Sequence, residues 1–357
     1  MFDFPKIELH LHIDGALRYE TIIELAKQKS LNIGVNNLSE LKEKVITRHG
    51  SNLDHVLQAF YVFMPAVIGD AQAIERVAYE LCEDQAKHGV VYFEGRFSPH
   101  FISNTTQSGT MALQAYHAKG EVTPDAATAA TLRGLERGER DFGVKARAIL
   151  CAIRAHPQWS SEILHLAKKY RNHGVVGIDL AGCAHAGAGE KLHEENTENI
   201  AIFEEAKQLG IHRTVHAGES GTAGDVQYAV ERMHAERIGH GYRALADERI
   251  YERLLRRRVH FEVCPTSSVC TSAVTDSWRQ HPIRRLAKDN ANFGINTDDP
   301  TCFDVRLNDE LETAHRNIGL TRAQLWQCQL NAAHSCFLPE EEKQTLIKEM
   351  EAARPKF

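Results

Sequence analysis

Short apolar runs alternate along the chain with longer segments of helical periodicity. Eight runs predict strands: Ile7–His12, Val90–Arg96, Lys145–Ile153, Val175–Ala181, Arg213–Ala217, Ile238–Gly241, Val259–Cys264 and Phe293–Asp298. Several are continuously apolar and bounded by glycine or charge, the pattern of parallel strands covered from outside. The segments between them predict helices. In 71–88, Ile74, Val77, Ala78 and Leu81 fall at i, i+3, i+4 and i+7. Thr123-Pro124-Asp125 reads as an N-cap followed by proline at the first helical position. Thr321 and Gln324 have the spacing of a capping box. Eight strands with regular helical crossovers predict an α/β fold, a (β/α)8 TIM barrel, as one domain over 1–357. The alternative, an open doubly wound sheet, calls for a glycine-rich phosphate turn after the first strand, where this chain has His12-Ile-Asp-Gly-Ala-Leu17. Two stretches exceed ordinary connections. Residues 17–65 predict extra helices inserted after the first strand, and 98–122 form a long polar connection after the second. Insertions after strands lie on the active face of a barrel, where either could form a lid.

Composition narrows the class. Of 357 residues, 43% are hydrophobic and 25% charged, as in a soluble globular protein. The net charge of −6 excludes a nucleic-acid surface, which needs a basic excess. No run approaches the ~18 apolar residues of a membrane span. Met1-Phe-Asp-Phe-Pro-Lys6 enters the first strand at once, leaving no room for a signal peptide. The eight cysteines form no Cys-x-x-Cys pair, which predicts free thiols in a reducing, cytoplasmic setting. Asn104-Thr-Thr fits a glycosylation sequon, read here as coincidence for want of a secretory signal. Arg253, Arg256, Arg257 and Arg258 fall late in a predicted helix and read as a solvated face.

The candidate chemistry starts in the first strand. Side chains two apart on a strand share a face, so His10 and His12 aim at one spot. Glu8 has the same parity and requires either a partner low in the barrel or a deviation in the strand. The other strand ends match: Thr214-Val-His216-Ala-Gly-Glu219, Arg237-Ile-Gly-His240-Gly241, Phe261-Glu-Val-Cys-Pro-Thr-Ser-Ser268 and Ile295-Asn-Thr-Asp298-Asp299-Pro300. A barrel brings such positions together at its C-terminal rim. His10, His12, His216 and Asp298 then offer three nitrogens and one oxygen to a divalent metal. Zinc is the first choice because imidazole dominates; nickel, iron and manganese stay open at this point. A bound metal lowers the pKa of its water toward neutrality. Several ionisable residues at several strand ends have no ready structural explanation, because isolated buried charges are costly.

The runs Glu8-Leu-His-Leu-His-Ile-Asp-Gly-Ala16, Asp179-Leu-Ala-Gly182, Val215-His-Ala-Gly-Glu219, Ile238-Gly-His-Gly-Tyr242, Glu262-Val-Cys-Pro-Thr-Ser-Ser268 and Asn296-Thr-Asp-Asp-Pro300 together resemble the adenosine deaminase family. They stand in that family's order over nearly the whole chain, joined by Phe97-Ser-Pro-His100 and Phe337-Leu-Pro-Glu-Glu-Glu-Lys343. The resemblance implies a zinc-dependent barrel hydrolase, with one Zn2+ per chain, that converts adenosine and 2′-deoxyadenosine to inosine and 2′-deoxyinosine with release of ammonia. Its partner is then a small purine nucleoside. By the same resemblance, His10, His12, His216 and Asp298 hold zinc, and His12 also faces the substrate. His240 orients the attacking water and takes its proton. Glu219 protonates purine N1, Asp299 hydrogen-bonds N7, the Gly182 amide contacts N3, and Asp14 holds the ribose 5′-hydroxyl. Leu57 and Phe60 match an apolar lid position at the pocket mouth. A carboxylic acid at N1 requires Glu219 to be buried, since desolvation raises a carboxyl pKa.

The chain departs from the family after Gly182, where Cys183-Ala184 replace an acidic pair and His185-Ala-Gly-Ala-Gly189 is small where the family is bulkier. Rival readings make different demands. Adenine deaminases typically carry glutamate where Asp14 stands. AMP deaminases need a cationic phosphate pocket, which the residues around Asp14 do not supply. Other barrel metallohydrolases use a carboxylated lysine between two metals, and no lysine ends a predicted strand. A binding or signalling protein on the same fold would not need every catalytic position filled, as they are here.

Overall fold

The computed structural model describes residues 2–106, 115–183, 197–274 and 277–356. The eight predicted strands all form: β1 (Lys6–His12), β2 (Val90–Phe97), β3 (Lys145–Ile153), β4 (Val175–Ala181), β5 (His212–Ala217), β6 (Arg237–His240), β7 (His260–Val263) and β8 (Phe293–Ile295). They lie in sequential order and every successive pair is parallel. Helices surround them, which is the (β/α)8 architecture. The apolar residues of 71–88 are buried as the periodicity requires, on α4 (Ala71–Lys87), which Asp70 caps through the amides of Gln72 and Ala73. Between β1 and α4 the insertion folds into α1 (Tyr19–Gln28), α2 (Leu38–Val45) and α3 (Leu53–Phe63). Thr123 caps the helix Pro124–Phe142 through the Ala126 amide, and Thr321 and Gln324 form the expected capping box.

The barrel closes between β8 and β1 in an unusual way. β8 stops at Ile295, three residues short of the predicted end, because the Asn296 side chain replaces the backbone ladder there. Its Oδ1 accepts from the consecutive amides of Leu9 (2.8 Å) and His10 (3.1 Å). Above it a single bridge joins Leu11 to Asp298: the His12 amide donates to the Asp298 carbonyl (2.8 Å), and the Asp298 amide to the His10 carbonyl (3.1 Å). Two successive amides on one acceptor bend β1, and its pairing with β2 shifts register between Glu8 and Leu11, as at a β-bulge. Glu8 thereby escapes the parity of the histidines. Its carboxyl accepts from the Thr297 amide (2.8 Å) and hydroxyl (2.6 Å) and from Gln85 Nε2 (2.6 Å) on α4, outside the barrel. The deviation expected from the sequence is present, and it corrects the expected place of Glu8, which lies outside the barrel rather than low within it.

Asn104 is buried, with its amide nitrogen donating to the carbonyls of Tyr116 and Gly120, so it pins the connection after β2 rather than presenting a sugar acceptor. Arg253, Arg256, Arg257 and Arg258 are exposed at and beyond the end of the helix Glu248–Arg256, as expected. Among the described residues, no single helix is long and apolar enough to cross a membrane.

Candidate active site

His10 and His12 from β1, His216 from β5 and Asp298 beyond β8 converge, with one ligand atom of each within 4.8 Å of the others. His12 Nε2 lies 3.3 Å from His216 Nε2 and 3.4 Å from Asp298 Oδ1, and His10 Nε2 lies 3.2 Å from Asp298 Oδ1. A tetrahedral ion with metal–nitrogen bonds of about 2.0–2.1 Å has ligand–ligand edges of roughly 3.3–3.4 Å, so the donor set fits a small divalent cation. His10 Nε2 is fully buried and makes no hydrogen bond of acceptable geometry, although a carboxylate oxygen is beside it. That is the arrangement of two groups aimed at one ion rather than at each other. Burial holds the His12 and His216 imidazoles below their ordinary pKa, His216 at about 4, and so in the neutral form a metal requires.

Carboxylates on other strands aim these ligands. Glu262 of β7 takes His10 Nδ1 in a hydrogen bond of 2.7 Å, and the Asp179 carboxylate of β4 lies 2.8 Å from His216 Nδ1 as an ion-pair contact. A proton held on Nδ1 leaves the Nε2 lone pair facing inward. The Ser267 hydroxyl donates to Asp298 Oδ2 (2.7 Å), leaving Oδ1 toward the other ligands. Arg96 of β2 bridges the two orienting carboxylates, reaching Asp179 at 3.0 Å, Glu262 at 2.7 Å and the Leu9 carbonyl at 2.7 Å. Arg237 of β6 joins Glu262 (2.7 Å) to Glu94 (2.6 Å). All are fully buried. Burial alone would raise the carboxyl pKa values. Instead Arg96 and Arg237 hold Glu262 well below the ordinary range, and His216 with Arg96 does the same for Asp179.

The backbone is strained where the site needs it. His240 and Asp298 are non-glycine residues in the left-handed region, each with φ of 65°. Gly239 lets the His10 ring pass: a Cβ there would lie 2.8 Å from His10 Cε1. Gly15 makes room for Asp299, whose Oδ1 would be 1.9 Å from an added Cβ.

Around the metal cluster the rim gathers the remaining polar residues. Glu219 Oε2 lies 3.5 Å from His240 Nε2, which is 3.9 Å from Asp298 Oδ2. Burial raises the Glu219 pKa, with the Asp298 charge adding to it and His240 opposing it. Burial also pushes Asp299 well above the carboxylate range, reinforced by Asp298, Asp14 and Glu219. Asp299 Oδ1 is buried without a hydrogen-bond partner. Asp14 is buried with its pKa raised to about 7; Oδ2 accepts from the Ser98 amide (3.4 Å), whereas Oδ1 has no hydrogen-bond partner. Gly182 follows β4 directly, with φ of 95°. Cys264 also lies near His240 and Asp298, but burial pushes its thiol pKa up and the S–H donates to the Glu262 carbonyl (3.8 Å). Leu57 is 41% exposed on α3, and Phe60 is half-buried against Phe63; neither belongs to this polar cluster. Cys183 is half-buried beside the Ser220 hydroxyl, while Ala184 and the glycine-rich stretch to Gly189 lie outside the described residues.

Sequence reasoning found the converging residues but gave no role to Asp179, Glu262, Arg96, Arg237 or Ser267. A signal was there: each of the four charged ones interrupts or opens an otherwise apolar strand, where an unpaired charge is untenable.

Comparison with known proteins agrees with this geometry. The family model for adenosine deaminase matches residues 5–353. The adenosine deaminase of Danio rerio is 43% identical over 350 residues, covering 98% of this chain and 95% of the relative. Among solved structures, the adenine deaminase of Arthrobacter aurescens superposes with a TM-score of 0.83 at 25% identity, covering 98% of both chains. An amidohydrolase from Burkholderia ambifaria with bound Zn gives a TM-score of 0.80 at 25% identity, covering 98% of this chain and 91% of the other. With strand order, converging ligands and sequence all agreeing from one end to the other, the chain belongs to the adenosine deaminase family.

Proposed function

We propose that this protein catalyses hydrolytic deamination of adenosine and 2′-deoxyadenosine to the corresponding inosines, releasing ammonia. One observation carries the reading: two carboxyls, Asp299 buried and Glu219 nearly so, have raised pKa values beside a candidate metal-binding cluster. Purine N1 and N7 are hydrogen-bond acceptors, so a pocket for them needs donors. Burial favours the protonated form of a carboxyl, and a protonated carboxyl is such a donor.

His10, His12, His216 and Asp298 would hold zinc, which when bound supplies Lewis acidity and a water acidified toward neutral pH. His240, with Nε2 between Glu219 and Asp298, accepts the proton of the water that attacks C6. Attack at C6 loads electron density onto N1. Glu219, in the protonated form that burial favours, relieves it by giving its proton to N1. Collapse of the C6 adduct then breaks the C6–N6 bond: the amine leaves as ammonia with the proton that His240 took from water, and the C6 hydroxyl proton returns to Glu219. Asp299 donates to N7, and the Gly182 amide to N3. Asp14, with Oδ1 open, accepts from the ribose 5′-hydroxyl. That contact favours a nucleoside over free adenine, and a carboxyl there disfavours a 5′-phosphate. A cytoplasmic setting belongs to the same proposal and rests on eight free thiols, seven of them buried.

The test is turnover of adenosine, adenine and AMP by the metal-loaded protein, together with Glu219→Gln. Adenosine is expected to be the fastest substrate. The Gln variant is expected to keep its metal and lose about 10³-fold in kcat, within the range for a positioned general acid. Faster turnover of adenine or AMP overturns the nucleoside reading, and unchanged kcat removes Glu219 from the mechanism.

A further inference from the structure

The barrel has a seam between β4 and β5. β3 pairs with β4 up to Ile153 and Ala181, and β5 pairs with β6 up to Ala217 and His240. β4 and β5 pair only at Gly177–His212 and Ile178–Arg213. Beyond those residues the two strands part, and between their C-terminal ends no ladder is seen among the described residues. The seam opens where it matters: Gly182 ends one side, and His216 stands on the other.

Arg154, the first residue after β3, spans the gap. Its Nη1 donates to the Gly182 carbonyl (2.8 Å) and its Nη2 to the His216 carbonyl (2.6 Å). Its own amide donates to the Ala181 carbonyl (3.0 Å), which sets the base of the side chain against the end of β4. A guanidinium is planar, permanently charged and carries N–H groups on separate nitrogens, so one group can hold two carbonyls at a set separation. A lysine ammonium on a flexible stem has no such fork. The two sides of the seam differ in what else holds them. His216 Nδ1 stands 2.8 Å from the Asp179 carboxylate. Gly182 is exposed, has a left-handed backbone (φ 95°), and is followed by Cys183 and Ala184 where the family carries an acidic pair.

We infer that Arg154 is a positioning residue: it sets the distance between Gly182 and His216, and so places the Gly182 amide against purine N3 relative to the metal cluster. The inference rests on the nucleoside reading given above. It follows that loss of Arg154 affects substrate placement more than metal binding, because His216 keeps Asp179 while Gly182 loses its tether.

The test compares wild-type, Arg154→Ala and Arg154→Lys holoenzymes on adenosine and on 3-deazaadenosine, which lacks the N3 acceptor. Arg154→Ala is expected to raise KM for adenosine at least tenfold and change kcat less than threefold, with metal content and thermal midpoint preserved. Arg154→Lys is expected to stay within threefold of the Ala variant. Guanidinium chloride at tens of millimolar should lower KM of the Ala variant toward wild type and leave wild type unmoved. Binding of 3-deazaadenosine should be the same in wild type and Arg154→Ala, because the contact that Arg154 places is missing from it. An unchanged KM, an equal loss of affinity for both compounds, or a joint fall in kcat and metal content overturns the role of Arg154. Absence of adenosine turnover by wild type overturns the functional reading, and this inference with it.

Discussion

Glu262 and Asp179 lie within the barrel strands, while Glu219 and Asp299 lie at the rim beyond them. All four are removed from water, Glu219 least completely. Their protonation nevertheless differs in direction. The strand pair is ionised well below the ordinary range because Arg96 and Arg237 face Glu262, and Arg96 with His216 faces Asp179. The rim pair is pushed upward because burial dominates there and Asp298 adds negative charge, with His240 at Glu219 and Arg96 at Asp299 opposing it only in part. The lesson is that burial does not decide what a carboxyl does; the placement of guanidinium groups does. The strands set charge beside imidazoles, and the rim sets carboxyls whose protonated form burial favours, as the proposed contacts to a purine require.

Removing the cation from the strand pair should have the largest effect. Arg96→Met leaves Asp179 and Glu262 without their shared partner. Breaking a buried ion pair from one side costs about 3–5 kcal/mol, and loss of a ligand-orienting contact costs about 10- to 100-fold in metal affinity. Denaturant unfolding of the metal-free variant reads the first and chelator competition the second. Stability within about 1 kcal/mol of wild type would show that the arginine is not what divides the two regions.

The rim side can be disturbed without touching a charge. Gly15→Ala places a methyl where Asp299 Oδ1 now sits, 1.9 Å from the new carbon. A displacement near 1 Å at a reacting centre costs about 10²-fold, so kcat/KM for adenosine is expected to fall by about that factor while metal content holds. Wild-type kinetics in Gly15→Ala would remove the steric basis for the placement of Asp299.

The smallest effect tests the same principle with a base. His260, at the start of β7, is fully buried beside Asn292, and burial with the nearby Arg237 charge lowers its pKa to about 4. It is neutral when folded, whereas the unfolded chain takes up a proton below about 6.5. Its contribution to stability is therefore complete above pH 6.5 and is lost as pH falls toward 4. At pH 4.5 it is expected to cost wild type about 2 kcal/mol relative to His260→Gln, which does not titrate. Urea unfolding of both proteins at pH 7 and pH 4.5 measures the difference, and parallel shifts would count against a buried neutral imidazole.

Much of this was readable from residues alone. The His-x-His period, the apolar runs and the polar strand ends led to the barrel and to the converging ligands because each is a local pattern with a fixed geometric consequence. What could not be read depends on contacts between distant strands. Arg96, Asp179 and Glu262 are visible as charges in apolar strands, but which carboxylate meets which imidazole is set by register around the barrel. The outward turn of Glu8 and the early end of β8 both follow from the Asn296 side chain entering the ladder, which no periodicity announces. Arg154 follows an apolar strand, and only the parting of β4 from β5 gives it something to bridge.

The closure of β8 on β1 also bears on how the protein is made. Asp298 follows His12 by 286 positions, and Asn296, whose side chain accepts from the His10 amide, follows His10 by 286. At synthesis rates of ~5–20 residues per second that is an interval of about 15–60 s. Throughout it the nascent chain carries a His-x-His pair without the carboxylate that meets it in the fold and without the side-chain amide that bends the strand. With the proposed ligand set, metal capture would be tied to completion of the barrel, because the four donors come together only when β8 closes on β1.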